Sequence, residues 1–373
     1  MAKAKYTYNE KRKEWSTLVY DGTLTPSGEK HRVRVTSKKS SADLERKVNE
    51  IKAKLASEDV ILSTITFGEY AQTWLSLYKT NKELNTLKMY KTIVNNYFYM
   101  IDDMRLTDIR HSNFQQIINM NSEHPRTCQK IKLTFKQIIK SAVRDHYLPH
   151  SAIDDITSDI SMPKYLKPQK RALTELEKQS LKAANLSDMK RAFVTILYYC
   201  GIRKGEALAL TVDDFDFIKN TVSISKTIIH DNNTPILKPY PKSDNGIRVI
   251  PLPDDAQVIL KDYVSNCNGY LFKGKDKEMM TDTAYKRMWQ SIITELNKAA
   301  GYDPKKKNDK PIQGLTAHVF RHNYCTMLCY QIPTISTKKI AQLLGDTEKM
   351  VLDVYSHILD ENEDVSGAIN SAF

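Results

Sequence analysis

From residue 66 to residue 148, apolar side chains return every three or four positions in four successive stretches: "TFGEYAQTWLSLYK", "TLKMYKTIVNNYFYMI", "RHSNFQQIINMN" and "RTCQKIKLTFKQIIKSAVRDHYL". That period belongs to a helix with one face to bury. Four such faces can cover one another, so residues 61–160 are expected to form an all-helical domain. The last stretch carries Lys132, Lys136, Lys140 and Arg144 at four-residue intervals, which drift only about 40° per step around a helix. They form a cationic stripe opposite Phe135, Ile138, Ile139 and Val143. Such a stripe suits a polyanion, and it is as often an ordinary solvated face.

Ahead of this domain the period changes to two. "EWSTLVYDG" and "KHRVRVTS" read as strands on either side of the turn "TPSGE" at 25–29, and a weak alternation precedes them at Tyr6–Tyr8. Val33 and Val35 fall on one side of the second strand, Arg32 and Arg34 on the other. Ser40 and Ser41 offer an N-cap, and "ADLERKVNEIKAKLA" continues as an amphipathic helix. Residues 1–60 therefore predict a three-stranded sheet with one helix, and Arg32, Arg34, Lys38 and Lys39 make a phosphate-binding face or a merely solvated one. Behind the helical domain, "SMPKYLKPQKRALTE" at 161–175 has two prolines and four basic residues, and 161–172 reads as an extended linker. Residues 173–373 mix helices with strands, "NTVSISKTIIH" and "IRVIPLP" being the clearest. The expected class is multidomain α+β: a sheet-plus-helix module, an all-helical domain, and a mainly helical domain with a small antiparallel sheet.

The chain has 56 basic and 44 acidic residues, a formal charge of +12. A surplus of that size favours a polyanionic partner through counterion release, but it leaves ribosomal, membrane-surface and DNA-binding classes open. No apolar run approaches the roughly 20 residues that span a bilayer, and the N-terminus lacks an apolar signal core, so a cytoplasmic protein without a membrane partner is expected. The five cysteines, Cys128, Cys200, Cys267, Cys325 and Cys329, sit mostly in apolar segments and read as reduced, buried thiols rather than a zinc site.

Four islands in the last segment bear on chemistry. "LYYCGIRKGEALAL" at 197–210 places Arg203 after a glycine between two apolar helices, three residues before Glu206. An arginine there costs desolvation unless paired, and a surface Arg203–Glu206 pair is the plain alternative. "YPKSDNGIRVIPL" at 240–252 puts Lys242 at a hairpin tip. "LTAHVFRHNYCTML" at 315–328 projects His318 and Arg321 from nearly one helix face, an imidazole donor beside a planar fork that fits phosphate oxygens. "LLGDTEKMVLDVYSH" at 343–357 closes a helix at Gly345, continues through Asp346, and delivers Tyr355 nine residues later.

In this order, "GIRKGEAL", a hairpin lysine, "HVFRH", "LLG" and "LDVYSH" resemble the tyrosine recombinase, or phage integrase, family, across the whole of the last segment. The first 160 residues are similar to the arm-binding module and helical core-binding domain of its integrase branch. The resemblance implies that Tyr355 attacks a DNA phosphodiester to form a 3′-phosphotyrosyl link, with Arg203, His318 and Arg321 on the phosphate oxygens. It also implies Lys242 as general acid, Glu206 as the partner that orients Arg203, and no metal or other cofactor. It further implies double-stranded DNA at core and arm sites, a homotetramer on DNA, and accessory partners such as an excisionase or a host DNA-bending protein. Arg32, Arg34 and the stripe on the fourth helical stretch are the expected DNA contacts.

One position departs from the family. His or Trp is usual where Asp346 stands, and an ionised carboxylate cannot donate to phosphate. Asp346 is expected to pair with Arg203 or Arg321, to accept from Tyr355, or to point away. His357 is left as a neighbour of the nucleophile. The tail "DENEDVSGAINSAF" reads as an acidic loop and short helix, and the resemblance implies that it docks on a neighbouring protomer. The leading expectation is a recombinase integrating and excising a phage or other mobile element. A type IB topoisomerase-like enzyme and a non-catalytic DNA-binding regulator are the alternatives.

Overall fold

The computed structural model describes residues 6–25, 29–57, 64–166, 171–239, 246–274, 278–303, 305 and 310–362. The chain divides into two compact units, Met1–Lys167 and Pro168–Phe373. The architecture is multidomain α+β, with helices predominating and small antiparallel sheets.

In the first unit, β1 (Tyr8–Asn9), β2 (Glu14–Leu24) and β3 (Lys30–Ser37) form an antiparallel sheet in that order. Val19 sits opposite Val33 and Leu18 opposite Arg34, so strand alternation separates an apolar face from a basic one. Val35 packs with the buried Val19, Leu44 and Val48 beneath α1 (Ser41–Ser57). That helix starts where the Asp43 N–H donates to the Ser40 hydroxyl at 3.1 Å. Arg32 and Arg34 are exposed on the opposite side, and Arg34 donates to Ser16 at 3.1 Å. The predicted turn at 25–29 lies largely outside the described residues.

The helical stretches become α2 (Phe67–Tyr78), α3 (Leu84–Tyr97), α4 (His111–Met120) and α5 (Pro125–Arg144), followed by the short α6 (Ala152–Thr157). Thr66 and Glu69 close a reciprocal cap at the start of α2, which satisfies backbone donors the helix cannot use. Proline opens α5, where its missing N–H costs nothing. Phe135 of α5 stacks on Phe114 of α4 with centroids 3.9 Å apart, and both are fully buried. The other face of α5 keeps Lys132 and Lys136 half-buried and Lys140 and Arg144 exposed. The three lysines line a cavity of about 490 Å³ with Gln129, Leu133, Gln137, Met162 and Pro163.

The second unit contains α7 (Glu175–Ala183), α8 (Asp188–Cys200), α9 (Lys204–Ala209), β4 (Phe215–Asp216), β5 (Thr221–Ile224), β6 (Thr227–Asp231), β7 (Thr234–Lys238), β8 (Arg248–Pro251), α10 (Asp254–Ser265), α11 (Asp282–Ala299), α12 (Ala317–Cys329), α13 (Thr337–Leu344) and α14 (Glu348–Asn362). The stretch read as a single strand at 220–230 is two. β5 joins the sheet β4-β5-β8, whereas among the described residues β6 pairs with β7 alone. Between them Lys226 is drawn to Asp214 at 2.9 Å and to Thr211 at 2.8 Å, and the chain changes sheets there. A large core gathers around Phe193, Phe272 and Phe320. A smaller one joins α12, α13 and α14 through Cys325, Cys329, Ile340, Leu344 and Val351. α14 continues through Asn362, so the first residues of the tail read as an acidic loop are helical, and 363–373 lie outside the described residues.

Candidate active site

α8 ends because Gly201 adopts a left-handed conformation, φ 58°, which a residue without Cβ reaches at little cost. The turn places Arg203 at the N-cap of α9, where Glu206 accepts from the Arg203 backbone N–H and, through its other oxygen, from Nη1, both at 2.9 Å. This is not the surface pair that spacing alone allows, because Glu206 is only 2% exposed. Burial opposes its charge, yet the hydrogen bond and charge of Arg248 and the Arg203 N–H hold its carboxyl below the usual range.

Arg321 lies on α12 and is also 2% exposed. Its Nη1 donates to the Gly201 carbonyl at 3.1 Å and its Nη2 to Asp346 Oδ2 at 2.8 Å. The same Oδ2 accepts from Arg203 Nη2 at 3.1 Å, and that nitrogen also donates to the Gly345 carbonyl at 2.9 Å. Asp346 thus joins arginines from two separate helices through one oxygen, the pairing outcome among those open to it. Burial works to raise its pKa, but the Thr347 N–H and the two arginines leave it below the ordinary carboxylate value. The Arg321 guanidinium is in turn pushed down, by burial first and by Arg203 next.

Sequence reasoning passed over Arg248. In β8 it is nearly buried, with a side chain 5% exposed. It donates to Glu206 Oε2 at 2.8 Å, to the Leu343 carbonyl at 2.8 Å and to the Gly246 carbonyl at 2.9 Å. Its one sequence signal is a basic residue sharing the parity of Ile250 within an apolar strand.

His318 stands one turn before Arg321 on α12, is exposed, and sets its ring edge to face with His322, centroids 4.6 Å apart. Tyr355 is half-buried on α14 and packs against the small core that includes Cys325 and Leu344. α14 packs on both α12 and α13, the helices carrying Arg321 and leading to Asp346. Lys242 lies outside the described residues, as does the side chain of His357. Arg32, Arg34, Lys132, Lys136, Lys140 and Arg144 belong to the first unit. Among the described residues, no group of three or more His, Cys, Asp or Glu side chains is placed to hold a metal ion.

Three arginines, Arg248 and Arg321 nearly buried and Arg203 partly exposed, are balanced by two carboxylates, with an exposed histidine one turn from Arg321, a surplus of positive charge that suits an anion. The phage integrase family pattern matches residues 170–362, more than half of the chain, and the chain belongs to this family of tyrosine site-specific recombinases. It is similar to the XerC-like tyrosine recombinase of Caldanaerobacter subterraneus subsp. tengcongensis, 22% identical with 88% of each chain covered. It is also similar to the transposase of transposon Tn916 of Enterococcus faecalis, 23% identical over 62% of this chain and 58% of the relative. Among solved structures it shares the fold of the Tn1549 transposon integrase bound to circular intermediate DNA, with TM-score 0.65, 18% identity, and 78% of this chain and 95% of that one covered. A lambda integrase tetramer on a Holliday junction covers 94% of this chain and 95% of its own at TM-score 0.58 and 14% identity.

Proposed function

We propose that this recombinase cleaves and rejoins DNA through a 3′-phosphotyrosyl intermediate, with Tyr355 as the nucleophile. Its phenolic oxygen gives up its proton to solvent and attacks phosphorus, the bond to the 5′ oxygen breaks, and Lys242 protonates that departing oxygen. The ester retains the energy of the broken bond, so a second 5′-hydroxyl can reverse the step without a nucleotide cofactor. Arg203, Arg321 and His318 compensate charge on the non-bridging phosphate oxygens. Arg203 and Arg321 meeting on Asp346 Oδ2 is the observation that carries this reading. A guanidinium has five N–H donors, and the internal bonds of Arg203 and Arg321 use only some of them, so the pair is held ready and still able to bind an anion. Asp346 serves as the counter-charge that orients the pair.

On this reading the protein acts as a tetramer on two duplexes, integrating and excising a mobile element such as a phage or conjugative transposon in the bacterial cytoplasm. The sheet module of residues 1–60 bridges to arm sites through Arg32 and Arg34, and the stripe Lys132–Arg144 holds core-site DNA. An excisionase or DNA-bending protein would set the direction of the reaction. The transposon and lambda integrases among the structural relatives support this choice. The test is recombination between two cognate sites on separate plasmids, read as new junctions. Wild type should form them and Tyr355→Phe should form none while still binding DNA. Junctions formed by Tyr355→Phe would remove Tyr355 as the nucleophile, DNA binding by wild type without cleavage would mean a DNA-binding regulator, and relaxation without junctions would mean a topoisomerase.

A further inference from the structure

We propose that Arg248 is a positioning residue for strand cleavage, its guanidinium fixing Glu206 so that Glu206 fixes Arg203. The proposal rests on reading Arg203 as a phosphate ligand and adds a residue that never meets the phosphate. Four hydrogen bonds link five groups into a ring that the backbone from Leu343 to Gly345 closes. Arg248 donates to Glu206 Oε2 at 2.8 Å, and Arg203 donates to Glu206 Oε1 at 2.9 Å. Arg203 donates onward to the Gly345 carbonyl at 2.9 Å, and Arg248 closes the circuit on the Leu343 carbonyl, two residues earlier, at 2.8 Å. One buried guanidinium therefore sets both supports of Arg203: the carboxylate on one side and the end of α13 on the other.

Stability alone does not call for an arginine at this position. Arg248 points inward with Ile250, while Ile247 and Val249 on the other face of the strand are more than half exposed. Apolar side chains at both Arg248 and Glu206 could fill the inward space, since replacing a whole buried ion pair by packed hydrophobic residues is often neutral or stabilising, whereas losing one partner alone strands the other charge. What an apolar residue cannot do is bind Glu206 and Leu343 at once. The other charged or titratable groups around the ring are Arg321, from α12, and Asp346, which ends the α13 turn. Cys200 of α8 and Tyr324 of α12 also face Arg248, and burial keeps both neutral, raising the Cys200 thiol to about 12 and the Tyr324 hydroxyl above its usual value.

The test is single-turnover formation of the covalent adduct on a nicked duplex, from pH 6 to pH 9, with wild type, Arg248→Met, Glu206→Gln and the double variant. Each single substitution should slow the adduct by about 10–100-fold, the scale of a displaced catalytic group, with DNA affinity little changed. The double should be within about threefold of the slower single, because both act along one path. Glu206 deprived of Arg248 should also titrate upward, giving Arg248→Met an extra loss toward pH 6, relative to wild type, that the double lacks. If Arg248→Met melts before assay, the comparison of Glu206→Gln with the better-balanced double still decides. Multiplicative losses, an unchanged pH profile, or a loss that only tracks the folded fraction would overturn the proposal. Wild type yielding no adduct would overturn the recombinase reading and this one with it, whereas an adduct formed equally by Arg248→Met would sink this one alone.

Discussion

At the scale of single residues, Asp346 has the most to answer for. A carboxylate where the family has an imidazole lowers the charge of the site by one unit, or by two when the imidazole is protonated, yet here it draws Arg203 and Arg321 onto one oxygen. Asp346→His should separate the two guanidinium groups by like-charge repulsion and slow adduct formation by about 10–100-fold. Equal or faster cleavage in a single-turnover assay would leave the carboxylate without a positive role. Asp346 and Glu206 also set an acid limit. Both carboxyls lie below their ordinary values in the folded protein, so the stability they add is complete above the unfolded carboxylate range, about pH 4–4.5. It is lost as pH falls through the lower folded-state values, and Asp346→Asn should flatten that part of a melting-temperature curve against pH. The partnership of Arg203 and Glu206 was legible because three residues on a helix set them side by side. Arg248 was not legible. Along "IRVIPLP" either face carries apolar residues, and only the buried partners brought from elsewhere in the chain, the Glu206 carboxylate and the Leu343 carbonyl, let an arginine share the inward face with Ile250.

At the scale of elements, the helices of the first unit could be read from period alone, because each buries one stripe and nothing competes with it. The strand at 220–230 could not, since its break depends on Asp214 and Thr211 reaching back for Lys226. The end of α8 ties stability to the site. A methyl at Gly201 would meet the ring of Tyr324, on a backbone whose left-handed form already costs a side-chain residue about 1–2 kcal/mol. Gly201→Ala should therefore lower the melting temperature of the second unit by several degrees. It should slow cleavage as well, because the Gly201 carbonyl anchors Arg321. On α5, replacing Lys132, Lys136, Lys140 and Arg144 by alanine should reduce the slope of log affinity against log salt by about 0.9 for each phosphate no longer neutralised. An unchanged slope would make the stripe a solvated face.

At the scale of the whole molecule, the charge of +12 and the two units Met1–Lys167 and Pro168–Phe373 suit a protein that holds DNA over a longer stretch than one catalytic domain covers. Family membership was legible because four short motifs keep their order and spacing along the second unit. Deleting the residues after Glu361 should impair tetramer assembly on DNA, read by native gel, more than binding of one protomer, and equal losses would exclude a docking role for the tail. The proposed reaction turns on one oxygen atom, that of Tyr355, and trapping tests it most directly. A nicked cognate site that loses its 5′ fragment on cleavage should leave a protein–DNA adduct without magnesium or a nucleoside triphosphate, and peptide mapping should find the DNA on Tyr355. An adduct on another side chain, or cleavage that demands either cofactor, would contradict the account.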